Sequence, residues 1–307
     1  MSTSDEAIGR YEDLMTLAPA LQAPTYRQMD RLYATRAIRR GTHVHPLPEG
    51  TPVDAQRFGI SEFMARNHTA GLLVIKDGHV VLERYAMGND AATKWLSFSV
   101  AKSLTSTLVG AAVQDGHIAS LDDPVVRYLP ALGGSAYDDV TVKQVLQMSS
   151  GVAWNEDYLD ADSDRRQLMR VQLTREKGAV LAFMAQRPRV APAGTRFNYS
   201  TGETCLVGEI LASAIRRPIS DYLSQKIWAP FGMEADAYWQ LDAVDGQEFT
   251  GSGVNATLRD FGRFGLFVLG GGVAGGHKVL PDSWVADATR VDAASHLAPG
   301  TPAGFEP

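Results

Sequence analysis

The stretch from Ser97 to Val113 limits the fold more than any other part of the chain. Its apolar residues Phe98, Val100, Ala101, Leu104, Leu108, Val109, Ala111, Ala112 and Val113 recur at helical spacing and form a broad stripe, interrupted by Gly110 and ending near Asp115-Gly116,. A helix with so wide an apolar surface is buried on most sides, so other elements must pack around it. Lys102 is an expensive residue there, because an ammonium taken out of water must be paired or lose its proton. Ser99 stands three residues before it and shares its helical face,. Hydrolases with this S-x-x-K arrangement use the serine as nucleophile and the lysine to take its proton. The spacing alone is weak, since the Ser and Lys content gives about 0.4 chance matches in a chain of this length. The plainer reading is a Lys102 that snorkels to solvent beside an N-terminal helix serine.

Composition excludes several classes. The 307 residues suffice for one large domain or a body with a subdomain,. A formal net charge of −6, with no Lys/Arg block, argues against nucleic acid as a partner,. No apolar run approaches the length of a membrane span. The opening residues have neither a basic nor an apolar signal region, which points to a cytoplasmic protein, and the single cysteine, Cys205, fits that compartment,. The seven histidines form no ligand pattern, and His43 and His45 beside Pro46 read as loop,. No metal or cofactor is expected.

Residues 1–55 read as an irregular N-terminal arm, followed by a short helix around Ala55–Asn67. Leu72–Ile75 and His79–Tyr85 read as two strands joined at Lys76-Asp77-Gly78 by a tight Asp-Gly turn,. Leu121–Pro124 opens a turn and short helix, and Thr141–Met148 is an amphipathic helix that ends at Ser149-Ser150-Gly151. Residues 152–170 read as a polar loop that carries Trp154, Tyr158 and several aspartates, suited either to a pocket wall or to plain solvent exposure,. Further helices are predicted over Glu176–Gln186, Thr204–Ile215, Ile219–Trp228, Thr257–Leu269 and Pro281–Thr289. Thr257 with Asp260 marks an N-terminus, and Gly270-Gly271-Gly272 marks a stop,. By this reading helices dominate the middle and strands fall mainly before residue 90.

Three strings then align in order: Trp95 to Ser103, containing FSVAKS; Leu121-Asp122-Asp123-Pro124 followed by Val140 to Gly151; and Phe197 to Thr204, containing YSTGET. Together they resemble the serine β-lactamase-like family of class C β-lactamases, D-alanyl-D-alanine carboxypeptidases, related esterases and 6-aminohexanoate-dimer hydrolase, with FSVAKS and YSTGET most similar to the last branch. The resemblance covers about residues 70–290. It implies an α+β, β-lactamase/transpeptidase-like fold, with an antiparallel sheet flanked by helices and a mainly helical region at about 115–250, in a catalytic domain from 56 to 307. It assigns Ser99 as nucleophile, Lys102 as proton acceptor and Tyr199 as the tyrosine of the Y-x-N motif. A nearby lysine ammonium is expected to lower the Tyr199 pKa from about 10. Tyr158 is carried over as a contact of the substrate amide, and Trp154, from the same loop, is expected to shape the pocket beside it as a second substrate-binding residue.

Two departures qualify the resemblance. Thr201 stands where the family usually has asparagine and offers a hydroxyl in place of an amide,. It counts as a substrate-binding candidate and weakens the case for penicillin recognition. The family's late K-T-G or H-x-G string is not found after Tyr199, and the chain ends at Gly304-Phe305-Glu306-Pro307. The expectation is a C-terminally truncated chain without the closing strands, weakly active or inactive. The implied function is hydrolysis of a small linear amide through an acyl-enzyme. The alternatives are a carboxylesterase, a β-lactamase or D-Ala-D-Ala carboxypeptidase type of activity, and, in another class, a non-catalytic binding protein. A homodimer is left open.

Overall fold

Four short antiparallel strands, in the order Thr35–Ile38 (β1), Ala237–Gln240 (β5), Val254–Thr257 (β6) and Lys94–Leu96 (β4), form the sheet on which the candidate site rests. The structure is a computed structural model and describes residues 7–10, 14 and 16–290. Helix α1 (Pro19–Tyr26) and strand β1 (Thr35–Ile38) come first, followed by α2 (Ile60–Arg66), the hairpin of β2 (Gly71–Lys76) and β3 (His79–Tyr85), β4 (Lys94–Leu96) and α3 (Val100–Gln114). The helical stretch comprises α4 (Val142–Leu146), α5 (Asp164–Leu173), α6 (Ala179–Ala185), α7 (Thr201–Ile215) and α8 (Ile219–Leu223). A wide turn over Ser224–Trp228 then leads into α9 (Ala229–Phe231). The chain returns through β5 (Ala237–Gln240), β6 (Val254–Thr257), α10 (Leu258–Leu269), the small hairpin of β7 (Val273–Ala274) and β8 (His277–Lys278), and α11 (Trp284–Ala288).

The apolar breadth of α3 has the predicted consequence. Ala101, Leu104, Leu108, Val109, Ala111 and Ala112 are all buried, and the helix packs on α7, whose Leu206, Val207, Ile210 and Leu211 face the same core. Gly110 interrupts nothing. A Cβ at that position would lie 2.6 Å from the Trp284 ring, so the glycine lets α11 close over the helix. The helix begins at Val100, three residues later than the apolar stripe, because Ser97 belongs to the turn leaving β4.

The hairpin forms as its sequence dictates. Asp77 and Gly78 have φ of +51° and +79°, the left-handed pair that a two-residue turn demands,. It is a two-stranded sheet of its own, and Leu73 and Ile75 of β2 pack beside Gly262 of α10. Thr257 caps α10 by accepting from the Asp260 N–H, and Gly270 is its C-cap. Thr141 and Gln144 form a full capping box on α4,.

Several expectations need correction. Strands do not lie mainly before residue 90, because β4, β5 and β6 make up three quarters of the main sheet. The stretch read as an irregular arm supplies α1 and the edge strand β1, which pairs with β5 from Thr35 opposite Gln240 to Ile38 opposite Ala237. The polar loop ends at Ser163, which caps α5 with its side chain,. The short helix after Pro124 is two 3-10 turns, Val125–Arg127 and Pro130–Leu132. The string Gly304–Pro307 lies outside the described residues. Among the described residues no helix is long and apolar enough to cross a membrane.

Candidate active site

Ser99 is held at the mouth of α3 by the sheet behind it. The Ser97 N–H donates to the Val254 carbonyl of β6 at 2.7 Å, and the Val254 N–H donates back to the Ser97 hydroxyl at 3.2 Å. Phe98 then takes a left-handed conformation, with φ of +44°, that a residue with a Cβ rarely adopts,. Its ring rests edge-on against Tyr26, with 4.9 Å between centroids. The turn leaves Ser99 exposed, while Leu96 and Ser97 just before it are buried and Phe98 is half-buried.

Lys102 lies one helical turn on, with Nζ 3.1 Å from Ser99 Oγ. The same nitrogen donates to the Gly251 carbonyl at 2.8 Å and reaches Thr201 Oγ1 at 3.1 Å. Gly251 must be small here, since a Cβ would come within 2.8 Å of Thr201 Cγ2. Burial brings the Lys102 pKa down to about 8, against the pull of the Glu156 carboxylate,. About one chain in ten therefore carries a neutral Lys102 amine at pH 7. The lysine does not snorkel.

Tyr199 donates its phenol proton to Ser99 Oγ across 2.9 Å, and the Lys102 ammonium lies 5.1 Å over its ring. Its pKa moves opposite to the expected direction. Desolvation raises it, and the hydrogen bond with Ser99 opposes the rise only in part. Tyr199 thus stays a phenol at neutral pH, with a proton to give and no phenolate charge,. Ser99 Oγ thus lies between an amine on one side and a phenol hydroxyl on the other.

The residue that organises this group from beneath is Glu156, which sequence reasoning passed over. Among Asp157, Asp160, Asp162 and Asp164 it reads as one more solvated acid, yet it is buried while its neighbours Asn155 and Asp157 are exposed. Its carboxylate accepts from the Thr201 N–H at 2.9 Å, the Thr201 hydroxyl, the Tyr158 hydroxyl at 3.0 Å and the Trp154 indole N–H. Arg165 Nε stands 3.9 Å away. Trp154 and Tyr158 therefore act as donors to Glu156, and Trp154 also packs on Gly202, where a Cβ would meet its ring at 2.6 Å. Sequence offered one usable signal, a glutamate flanked two residues on either side by aromatic donors.

A second buried acid lies just beyond. Glu203, in the first turn of α7, is fully enclosed and accepts from the Ser150 hydroxyl, and burial raises its pKa to about 8. In the unfolded chain this group ionises near its ordinary value of 4.5, while in the fold it keeps its proton to about 8. The unfolded state thus binds fewer protons across that window, and stability falls as pH rises through it. Denaturation midpoints of Glu203→Gln are expected to lose this slope between about pH 5 and 8, and an unchanged slope would show that Glu203 is not its source.

Among the described residues no group of three or more His, Cys, Asp or Glu side chains is placed to hold a metal ion. Cys205 is buried below Lys102, and burial pushes its thiol up to about 11, which makes it a poor nucleophile,. Lys76-Asp77-Gly78 is the hairpin turn and takes no part in the site.

Comparison with known proteins gives a consistent result. A family model described as Beta-lactamase matches residues 60–306. The 6-aminohexanoate-dimer hydrolase of Paenarthrobacter ureafaciens is 30% identical over 268 residues, which cover 85% of this chain and 68% of that protein. A β-lactamase of Pseudomonas fluorescens is 24% identical over 57% of this chain, and the match spans 48% of that relative's length. A solved structure from Bacillus anthracis, provisionally assigned as a 6-aminohexanoate-dimer hydrolase, superposes with a TM-score of 0.75 at 24% identity, over 86% of this chain and 72% of that one. At that identity the likeness concerns the fold, which is β-lactamase/transpeptidase-like, with an antiparallel sheet and helices.

Proposed function

Because the chain belongs to the Beta-lactamase family of serine hydrolases, we propose that it cleaves a small linear amide through an acyl-enzyme formed on Ser99. One observation carries this reading: Ser99 Oγ lies between a lysine amine at 3.1 Å and a tyrosine hydroxyl at 2.9 Å. Neutral Lys102 takes the Ser99 proton as Oγ forms its bond to the substrate carbonyl carbon. The carbon–nitrogen bond then breaks, and the departing amine takes a proton from Tyr199, which Lys102 replenishes. Water enters by the reverse path and releases the acid.

Likeness to the 6-aminohexanoate-dimer hydrolase supports an amide of flexible, linear shape. The threonine at position 201 supports the same choice over a penicillin, since it lacks the paired donor and acceptor of an asparagine amide,. Esters, with a better leaving group, are expected as accessory substrates.

A fluorophosphonate probe tests the nucleophile without requiring turnover. Mass spectrometry of the labelled chain is expected to find the adduct on Ser99 and to find none in Ser99→Ala. Absence of an adduct on the unaltered chain, with the fold intact by circular dichroism, contradicts the reading. Release of free amine from a linear aminohexanoate dimer, set against hydrolysis of nitrophenyl esters and a chromogenic cephalosporin, then ranks the substrate classes.

A further inference from the structure

Thr201 can face Lys102 in two ways. Its hydroxyl has one proton, which points either at Lys102 or away from it. If it pointed at Lys102, a neutral amine would spend its lone pair on Thr201, leaving nothing to receive the proton of Ser99. The structure decides the direction through Glu156. That carboxylate is acceptor-only, and it takes both the N–H and the hydroxyl of Thr201,. With its proton committed, Thr201 Oγ1 presents only lone pairs to Lys102. The Gly251 carbonyl does the same from another side. A neutral amine has two N–H bonds and one lone pair, so the two N–H bonds go to Thr201 and Gly251. The lone pair is left for Ser99.

We propose that Glu156 is a positioning residue for acylation: by holding the Thr201 hydroxyl proton it makes Thr201 an acceptor and aims the Lys102 lone pair at Ser99 Oγ. This rests on the hydrolase reading above. It also accounts for the departure at position 201, since an asparagine carbonyl is an acceptor by construction, whereas a threonine needs a neighbour to make it one. Trp154 and Tyr158 complete the device. Each donates to Glu156, one to each carboxylate oxygen, so the carboxylate is held in place from both sides. Proton flow is unchanged in balance: the Ser99 proton moves to Lys102 Nζ, and Glu156 neither gains nor loses one.

Glu156→Gln keeps the shape but brings an amide that can donate to Thr201 and free its hydroxyl to turn toward Lys102. The charged and titratable groups facing Lys102 are Glu156, Arg165, Cys205 and Tyr199. Removing the one carboxylate among them favours the neutral amine, so the Lys102 midpoint is expected to move from about 8 toward lower pH by about one unit,. At the same time the plateau rate of fluorophosphonate labelling, above that midpoint, is expected to fall about 10- to 100-fold. A variant that is more often in the basic form yet reacts more slowly is not what mere loosening of the loop would give.

The midpoint is read by NMR titration of isotope-labelled lysine, with the Lys102 signal assigned by Lys102→Arg, and the rate by labelling kinetics across pH. Thr201→Val supplies the second arm. It removes the hydroxyl through which Glu156 acts, so adding Glu156→Gln to it is expected to cost less than twofold further. An unmoved Lys102 midpoint, or losses that multiply in the double variant, overturns the role of Glu156. If the unaltered chain is not labelled at Ser99, the hydrolase reading fails, while the titration still decides whether Glu156 governs Lys102.

Discussion

Replacing Lys102 with methionine is expected to lower the rate of Ser99 acylation by about 10³- to 10⁴-fold and to abolish its rise with pH. In the unaltered chain the rate is expected to increase about tenfold per pH unit up to about pH 8 and then level off. The sign follows from the base: burial lowers Lys102 from 10.5 to about 8, and only the neutral amine accepts the Ser99 proton. Methionine fills much the same volume and adds no charge, so the α3–α7 packing is retained while the base is lost. Stopped-flow acylation by a nitrophenyl ester, or fluorophosphonate labelling where turnover is slow, measures both features. A Lys102→Met chain that keeps a pH limb near 8 would transfer the role of base elsewhere, with Tyr199 excluded by its raised pKa.

The size of that effect comes from how little else near Ser99 can accept a proton. His residues are absent from its hydrogen-bond partners among the described residues, and Glu156 stands behind Thr201, out of direct contact. This arrangement asks a single amine to be both buried enough to lose its proton and held firmly enough to point one way. Burial alone satisfies the first requirement. The second needs acceptors on the other sides of the nitrogen, and they come from remote segments, Gly251 ahead of β6 and Thr201 at the start of α7. A site of this kind does not assemble until the sheet and the helical layer have met.

That dependence also explains what was legible in the sequence. Ser99, Lys102 and Tyr199 could be found because they lie in strings whose order and spacing are themselves the signal, and the structure brings all three within hydrogen-bonding reach. The buried helix α3 and the hairpin turn at Asp77-Gly78 were equally plain, since each rests on local periodicity or a local φ requirement. The main sheet was not. Strands β5 and β6 are four residues long and buried at every position, so they have no inside-outside alternation to detect,. Strand β4 has three residues and runs directly into the turn that carries Ser99. Glu156 was hidden for a different reason: the partners that bury it are separated from it by up to 45 residues, and a carboxylate in a polar loop looks solvated until those partners are known.

Trp239→Ala is expected to destabilise the fold by about 3–5 kcal/mol, because it empties a fully buried site at the centre of the sheet,. Trp239 sits on β5 between Arg36 of β1 and Val254 of β6. Its indole N–H donates to the Phe249 carbonyl at 2.9 Å, and its ring lies 3.2 Å from where a Gly253 Cβ would be. It therefore holds the 249–253 turn, and that turn carries the Gly251 carbonyl bound to Lys102. Trp239→Phe separates the two consequences. The smaller ring keeps most of the apolar burial, and the Phe249 carbonyl still accepts from the N–H groups of Ser252 and Gly253, so the stability cost is expected to be about 1–2 kcal/mol,. Acylation by Ser99 is nevertheless expected to slow several-fold, as the turn shifts and the Gly251 carbonyl leaves its place on the amine. Urea denaturation and labelling kinetics on the same two variants measure both effects. If Trp239→Phe acylates at the unaltered rate, the turn does not depend on the indole to position Gly251. If Trp239→Ala costs less than about 1 kcal/mol, the sheet beneath the site is not held together at β5.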